Sequence, residues 1–260
     1  MELLDALGIG AGAMVAAVGG GGKTSLVFRL AQEARERGLG AVVTTTVKFT
    51  RPAGLPMPQV VWARAEDAAA VCERELSRFG AMTLCSGEGG RGRLLGFEPE
   101  VADGLRGAGR VVLVEADGSA HRPFKAPAAH EPVIPGAATE VVVCMGAQVL
   151  GKPLDSRWVH RPELAGALAG IADGDPVTPK AAAAVLLHPE GGRKGVPEGA
   201  RWLALVSLPG PGPVPGAVLE LAGLLAEGGY ERAVIAAVRE GIVYEVRSDA
   251  MVSAPSADNG

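Results

Sequence analysis

Residues 19–25 combine glycines, a lysine and two hydroxyls in the order of a phosphate-binding P-loop. Glycines let the backbone turn so that successive N–H groups face one anion. Lys23 would reach the β- and γ-phosphates of a nucleotide from the solvent side of the loop, and Thr24 would place its hydroxyl on Mg²⁺. The candidate nucleotide contacts in this loop are Gly19, Gly20, Gly21, Gly22, Lys23, Thr24 and Ser25.

The flanking residues supply the context that a P-loop requires. An apolar run at residues 14–18 predicts a buried strand, and residues 26–31 predict the start of a helix. The full P-loop pattern has a glycine six residues before the lysine, where this chain has Ala17. Gly20 and Gly21 supply flexibility further along the loop. The alternative interpretation is a glycine-rich turn with a lysine beside it.

Two carboxylates follow another apolar strand, at residues 110–114. Glu115 and Asp117 are two positions apart, so they lie on the same face of an extended chain. Together with Thr24, either carboxylate would complete the Mg²⁺ shell of bound ATP or GTP, or orient an attacking group. The alternative is a strand that ends in solvated acids.

A third polar group ends the strand predicted at residues 41–47. In an open parallel sheet the carboxyl ends of the strands line the ligand crevice. Thr45 and Lys48 are therefore candidate contacts to phosphate or to a second substrate. The alternative role of the threonines is strand propensity, because they are β-branched.

The proline-rich segment 121–135 leaves the carboxylate strand and is predicted to lie over the crevice. Within it, Lys125 could offset charge that develops during transfer, and His130 could act as acid or base near neutral pH. Glu131 makes the segment mixed in charge. The alternative is a proline-stiffened crossover without a role in chemistry. Farther along the chain, His160 and Arg161 are predicted to begin a helix and either reach the site or form a surface pair.

Composition narrows the class of protein. The chain has 260 residues, of which 48% are apolar and 21% charged, and its net charge of −4 argues against broad nucleic-acid binding. No run approaches the ~20 apolar residues of a membrane span, and the acidic start does not fit a signal peptide. The three cysteines are far apart and do not form a metal-binding pattern. We expect a cytoplasmic protein without nucleic-acid or membrane partners.

Apolar runs that alternate with helical patterns predict the fold class. We expect an α/β, P-loop NTPase-like fold, with a mostly parallel sheet and helices on both faces. Residues 1–252 are predicted to form a single P-loop α/β domain, and residues 253–260 a flexible tail. Residues 51–58 and 86–92 are predicted to be loops, and residues 98–106 and 159–171 helices. Thr178 and Pro179 are expected to open another helix.

Five motifs occur in an order that resembles a known family, and they read GGGKTS, TTTVK, VEADGS, KAPAAHEPVIP and VHRPE. The chain resembles the YqeC family, described as selenium-dependent hydroxylase accessory or selenium cofactor biosynthesis proteins, over residues 14–240. The resemblance implies a P-loop NTPase-like protein that serves the maturation of selenium-dependent molybdenum hydroxylases. It supplies a context and no mechanism.

One departure from the family affects the choice of nucleotide. Members often carry an Asn-Lys-x-Asp-like stretch on a late strand, of the kind that reads guanine. The matching strand here is LALVSLP at residues 203–209, which has neither the lysine nor the acid. ATP is therefore at least as strong a candidate as GTP.

Two functions remain open from the sequence. The first is an enzyme that hydrolyses a nucleotide or transfers its phosphoryl group to a small acceptor, with Lys23, Glu115, Asp117, Lys125 and His130 as catalytic candidates. The second is a nucleotide-gated chaperone or cofactor carrier that docks on a client hydroxylase. Turnover that depends on a small acceptor indicates the enzyme, and turnover that only a client protein raises indicates the carrier.

Overall fold

The computed structural model describes residues 1–50 and 58–248, except for the side chain of Arg91. The strands are β1 Met14–Gly19, β2 Gly40–Thr45, β3 Lys48–Thr50, β4 Gln59–Trp62, β5 Ala81–Cys85, β6 Gly87–Gly89, β7 Arg93–Leu95, β8 Arg110–Glu115, β9 Phe124–Lys125, β10 Glu140–Gly146, β11 Val159–His160, β12 Arg201–Ser207, β13 Arg232–Ala237 and β14 Ile242–Arg247. The helices are α1 Leu3–Leu7, α2 Lys23–Glu36, α3 Ala68–Phe79, α4 Pro99–Asp103, α5 Pro162–Ala169, α6 Pro179–Leu187 and α7 Gly216–Glu227.

Nine of the described strands form one sheet in the order β14-β13-β12-β10-β1-β8-β2-β5-β4. All neighbours in this sheet are parallel except β13 and β14, which are antiparallel. The central strand β1 lies between β8 and β10. The parallel strands carry the apolar runs that the sequence shows, because both faces of the sheet are covered.

Alternate residues of β1 enter different cores. Met14, Ala16 and Val18 pack with helices α3, α5, α6 and α7 on one face. Val15 and Ala17 pack with α1 and α2 on the other face. The period of two along a strand produces this division, and it confirms the prediction of an α/β fold with helices on both faces of a mostly parallel sheet.

The longer predicted elements are confirmed within a residue or two at their ends. The Thr178 hydroxyl accepts a hydrogen bond from the Ala181 N–H at 3.1 Å, so it caps α6 as expected. The helix predicted at residues 98–106 is shorter, because α4 ends at Asp103.

Two predictions for short segments are wrong. The segment 86–92, expected to be a loop, supplies β6, and β6 pairs with β7 in a small antiparallel sheet that also contains β3. The helix expected at residues 159–171 begins only at Pro162, since Val159 and His160 form β11 and pair with β9. The loop predicted at residues 51–58 and the tail predicted from residue 253 lie outside the described residues, apart from Pro58.

The polar residues of interest follow the carboxyl ends of adjacent parallel strands. β1 ends at Gly19, β8 at Glu115 and β2 at Thr45. These ends lie at one edge of the sheet, where ligands bind in open α/β folds. The topology therefore places the glycine loop beside the carboxylates.

Candidate functional site

The glycine loop is packed so closely that side chains do not fit at its start. Gly19 has a φ of +92°, and a Cβ there would lie 2.5 Å from the Cys144 carbonyl oxygen. A Cβ at Gly20 would lie 2.3 Å from the Pro123 carbonyl oxygen. The loop is thus held between the segment after β8 and the end of β10, and glycine is required there for space.

The N–H groups of the loop divide into two sets. Gly19 N–H donates to Oδ2 of Asp117 at 2.9 Å. Gly20 and Gly21 N–H donate to the carbonyls of Cys144 and Pro123 at 2.8 and 3.0 Å. These three glycines, predicted as phosphate contacts, therefore donate their N–H groups to acceptors within the protein, and their contribution is the shape of the loop.

The next residues, 22–25, also line the cleft. Gly22 is the N-cap of α2, and no side chain caps this helix. Within the described part of the chain, the N–H groups of residues 22–25 have no hydrogen-bond acceptor. The start of a 14-residue helix also carries partial positive charge. This arrangement is suited to an anion such as a phosphate group.

Lys23 is buried against the loop, and the expectation that it lies on the solvent side is wrong. Its side chain is 3% exposed, its Nζ donates to the Gly19 carbonyl at 2.6 Å, and the same atom lies 3.1 Å from Oδ1 of Asp117. Burial disfavours the ammonium, but the attraction of Asp117 and Glu115 outweighs it and raises the pKa of Lys23. Lys23 is therefore charged at neutral pH and still borders the cleft.

Glu115 lies beside Thr24 at the wall of the cleft. The Thr24 hydroxyl donates to Oε2 of Glu115 at 2.7 Å, and both residues line the cleft. Burial raises the pKa of Glu115, although Lys23 and the Thr24 hydroxyl oppose the shift. Mg²⁺ in nucleotide sites takes one or two protein oxygens and completes its shell with phosphates and water. The two oxygens fit that donor set, even though the described residues contain no cluster of three His, Cys, Asp or Glu side chains that could hold a metal by themselves.

Asp117, the other predicted magnesium ligand, has a different environment. Its Oδ2 accepts from Gly19 N–H and lies 2.9 Å from Nζ of Lys125. Its Oδ1 is near Lys23 at ion-pair distance, but that contact is poorly directed and Oδ1 has no hydrogen bond. The residue is 1% exposed. Asp117 is therefore placed to hold the loop and its lysine, whereas Glu115 is placed toward the ligand.

A chain of ion pairs continues from Asp117 to α5. Lys125 Nζ donates to the Gly118 carbonyl and to Oε2 of Glu131, both at 2.7 Å. Arg161, at the start of α5, donates to the same Oε2 at 2.7 Å and to Oε1 at 3.2 Å. Burial opposes ionisation of Glu131, but Arg161 and Lys125 lower its pKa to about 2. The chain links the glycine loop to a helix on the opposite face of the sheet from α2.

Three residues that the sequence assigned to the cleft lie elsewhere. Lys125 is 3% exposed and saturated by its partners, so it does not face an acceptor. Thr45 is fully buried, and its hydroxyl donates to the Glu115 carbonyl at 2.6 Å. His130 is exposed and does not line the cleft. Thr45 therefore positions the strand that carries Glu115. The prediction that Lys125 and His130 face an acceptor in the cleft is wrong.

The cleft itself has a volume of about 750 Å³, and many of the residues that line it are charged. Among the described residues, five cations and two carboxylates line it, although the whole chain has a net charge of −4. The charged residues of its wall are Lys23, Lys48, Arg93, Glu115, Arg122, Glu131 and Arg239, and two histidines, His121 and His160, join them. An excess of positive charge in a concave site favours an anionic ligand.

The sequence did not assign several of these wall residues. Arg93 lies in a glycine-rich segment whose strands are three residues long, too short for a periodic signal. His160 was placed on a helix but lies on β11, opposite Lys125 of β9. Burial, followed by Arg161 and Lys125, lowers the pKa of His160, so its imidazole is neutral near pH 7. Gln148 and Arg239 follow the ends of β10 and β13, which is the signal that could have identified them.

None of the helices in the described residues is long and apolar enough to cross a membrane.

Comparison with known proteins identifies the family. The family model described as YqeC protein matches residues 15–163, which include the glycine loop, both carboxylates and Arg161. The uncharacterized protein YqeC of Escherichia coli (strain K12) is 35% identical over 190 residues, which cover 72% of this chain and 73% of that protein. No solved structure matches the chain. By its motifs, its family-model match and this relative, the chain belongs to the YqeC family.

Proposed function

We propose that this protein is a P-loop NTPase or phosphotransferase that binds ATP or GTP together with Mg²⁺. The observation that carries the proposal is the Thr24–Glu115 pair, whose oxygens are 2.7 Å apart, beside the N–H groups of residues 22–25, for which the described residues supply no acceptor. The N–H groups and Lys23 would bind the β- and γ-phosphates, and Thr24 and Glu115 would hold the metal shell. We further propose that it acts in the maturation of selenium-dependent molybdenum hydroxylases or their cofactor, the role implied by the family resemblance.

The residues around the proposed γ-phosphate define what the protein contributes to transfer. The attacking oxygen of water or of an acceptor would form a bond to the γ-phosphorus as the bond from that phosphorus to the leaving nucleoside diphosphate breaks. Lys23 would balance the charge on the phosphoryl oxygens. Neutral His160 in the cleft wall is available to accept a proton from the attacking group.

A second candidate is a nucleotide-gated carrier, and one observation favours it. The Lys23–Asp117–Lys125–Glu131–Arg161 chain connects the residue expected to contact phosphate with the start of α5. A phosphate that draws Lys23 away from Asp117 would alter the charge balance along this chain. That coupling is what a switch needs, since a ligand can move an equilibrium only through contacts that differ between the two states.

Calorimetric titration of ATP and GTP, with Mg²⁺ and with a chelator, tests the first proposal. We expect Mg²⁺ to tighten binding by the native protein about tenfold or more, because the metal bridges phosphate and protein oxygens. Glu115→Gln should remove most of this Mg²⁺ effect. Asp117→Asn should weaken binding in both conditions and leave the Mg²⁺ effect intact.

The two carboxamide variants act as controls for each other, since each replaces one buried carboxylate. A Glu115→Gln protein whose Mg²⁺ effect equals that of the native protein would contradict the metal assignment. Loss of the Mg²⁺ effect in Asp117→Asn alone would return the metal role to Asp117.

A further inference from the structure

We propose that one face of the β3–β7 pair is a subsite for the anionic group of a second ligand. The ligand is an acceptor that carries a phosphate, carboxylate or other oxyanion group. The face consists of Lys48, Thr50 and Arg93, all of which line the cleft; we call it the β3–β7 face. This inference rests on the proposed nucleotide site and names the class of its acceptor.

The strand register puts these three side chains together. β3 and β7 are antiparallel, with Thr50 opposite Arg93 and Phe49 opposite Leu94. Residues that lie opposite each other share one face of a sheet, and successive residues alternate. Phe49 is 3% exposed and Leu94 is fully buried, so that side of the pair packs into the core. Lys48, Thr50 and Arg93 therefore project from the other side.

The β3–β7 pair is anchored to the main sheet. The Phe49 ring centroid lies 6.2 Å from that of Phe28 in α2. Phe97 N–H donates to the Thr45 carbonyl at 3.0 Å, and a Cβ at Gly96 would lie 1.5 Å from that same oxygen. These contacts fix the pair against the end of β2, and a fixed scaffold suits a binding site because little ordering is needed when the ligand arrives.

Among the residues that the structure describes, no carboxylate neutralises the charge on this face. In the described ranges, neither Lys48 nor Arg93 forms an ion pair with a carboxylate. The two carboxylates of the cleft wall already have partners: Glu115 accepts from Thr24, and Glu131 from Lys125 and Arg161. The positive charge is thus available to a ligand. Arg93 can grip an oxyanion with two N–H groups, and Lys48 adds a point charge.

The position of the face separates it from the proposed phosphate site. β3 follows β2, and β8 lies between β2 and β1 in the sheet. Two strand spacings of ~4.8 Å place the end of β2 about 10 Å from the end of β1. Glu115 lies between them, at the end of β8. A nucleotide whose phosphates meet residues 22–25 would thus leave Lys48 and Arg93 on the far side of the metal position, where an acceptor would enter.

The test measures binding of inorganic phosphate while a non-hydrolysable ATP analogue and Mg²⁺ saturate the nucleotide site. We expect the native protein to bind phosphate under these conditions. Arg93→Ala should weaken that binding about tenfold, and adding Lys48→Ala should weaken it further. The affinity for the analogue itself should change less than about threefold, since the phosphates of the analogue are held elsewhere. Lys180→Ala is the matched control, because Lys180 is an exposed lysine on α6 outside the cleft.

Three outcomes would overturn the subsite while leaving the nucleotide proposal in place. These are the absence of phosphate binding when the analogue is present, native-like phosphate binding by the double variant, and a loss of affinity for the analogue in the double variant as severe as that in Lys23→Ala. Failure of the native protein to bind the analogue would instead refute the proposed function. The part of the phosphate binding to Lys23→Ala that depends on Arg93 then reports on the subsite, because the N–H groups of residues 22–25 remain in this variant. A loss of about tenfold when Arg93→Ala is added supports the subsite. An unchanged affinity, or no phosphate binding to Lys23→Ala, overturns it.

Discussion

Glu115 and Asp117 show how two neighbouring carboxylates acquire different roles from their surroundings. The spacing in the sequence puts both on one face of the chain, and both reach the glycine loop. Asp117 forms ion pairs with two lysines and accepts a hydrogen bond from an N–H group, so its charge is balanced inside the protein. Glu115 meets a hydroxyl at the cleft wall, and burial raises its pKa. A cation that binds in the cleft would offset the cost of ionising the buried Glu115 carboxylate. It would add little stabilisation at Asp117, whose charge is already paired with two lysines.

The lowered pKa of Glu131 predicts that the stability of the folded protein decreases at acid pH. Its pKa falls from 4.5 to about 2 in the folded protein, against the cost of burial, because Arg161 and Lys125 hold the carboxylate. A depressed pKa contributes stability that is complete above the unfolded value and is lost as pH falls toward the folded value. Glu131→Gln should therefore lower the free energy of unfolding at pH 7. The gap from the native protein should narrow between pH 4.5 and pH 2.

Urea unfolding of both proteins at a series of pH values measures this gap. Glu190→Gln is a suitable control, since Glu190 pairs with Lys194 at the surface with 68% of its side chain exposed. Such a pair contributes little. A gap between native protein and Glu131→Gln that stays constant from pH 7 to pH 3 would show that the ion pairs do not act through the charge of Glu131.

The sequence predicted the position of a candidate residue correctly where the residue type and its place at the end of a strand were enough to locate it. Lys23 and Thr24 follow β1 in a strand, loop and helix order that is local in the chain. Glu115 joins them as expected because β8 lies beside β1 in the parallel sheet and both strands end at the same edge. Lys125 and His130 were misplaced because a proline-rich segment has no periodicity from which to infer direction. The Lys125 side chain turns into the protein because it pairs with Asp117 and Glu131, whereas His130 is exposed.

The glycine loop yields a prediction about the element that contains it. A Cβ at Gly20 would lie 2.3 Å from the Pro123 carbonyl oxygen, so the loop or the segment after β8 must move. Gly20→Ala should lower the free energy of unfolding by about 1–3 kcal/mol and weaken nucleotide binding. Thermal unfolding and ATP titration measure the two effects.

Gly10→Ala is the matched control for that change. A Cβ at Gly10 would have no atom within 4 Å, and its φ is outside the left-handed region. It should leave both measurements unchanged. A Gly20→Ala protein as stable and as tight in binding as Gly10→Ala would mean that the close packing of the loop is unimportant.

Elements of five or more residues followed from the sequence better than short ones. The apolar runs of β1 and β8 predict buried strands, and the structure confirms both. The two-residue strands β9 and β11 and the three-residue strands β3, β6 and β7 carry no readable period. Their pairing depends on tertiary contacts such as Phe49 against Phe28. These short strands place His160 and Arg93 in the cleft wall, so the sequence did not assign these two residues, although it did assign Lys48 to the crevice.

Across the whole molecule, the distribution of charge matters more than its sum. A net charge of −4 excludes little about small ligands, because positive residues collect in one cleft. The ion-pair chain from Lys23 to Arg161 adds a route by which ligand binding could reach α5. The proposed enzyme and the proposed carrier would share one first step, the binding of nucleotide phosphates at the start of α2.

That step is tested most directly by titrating ATP with Mg²⁺ into native protein and into Lys23→Ala, with Lys180→Ala as the matched control. Asp117 keeps Lys125 and the Gly19 N–H in the Lys23→Ala variant, so we expect it to fold, which circular dichroism will check. The account predicts binding by the native protein and the control, and a loss of about 100-fold or more in Lys23→Ala, since a buried cation on phosphate contributes strongly. Equal affinity in a folded Lys23→Ala protein, or no binding by the native protein, would contradict it.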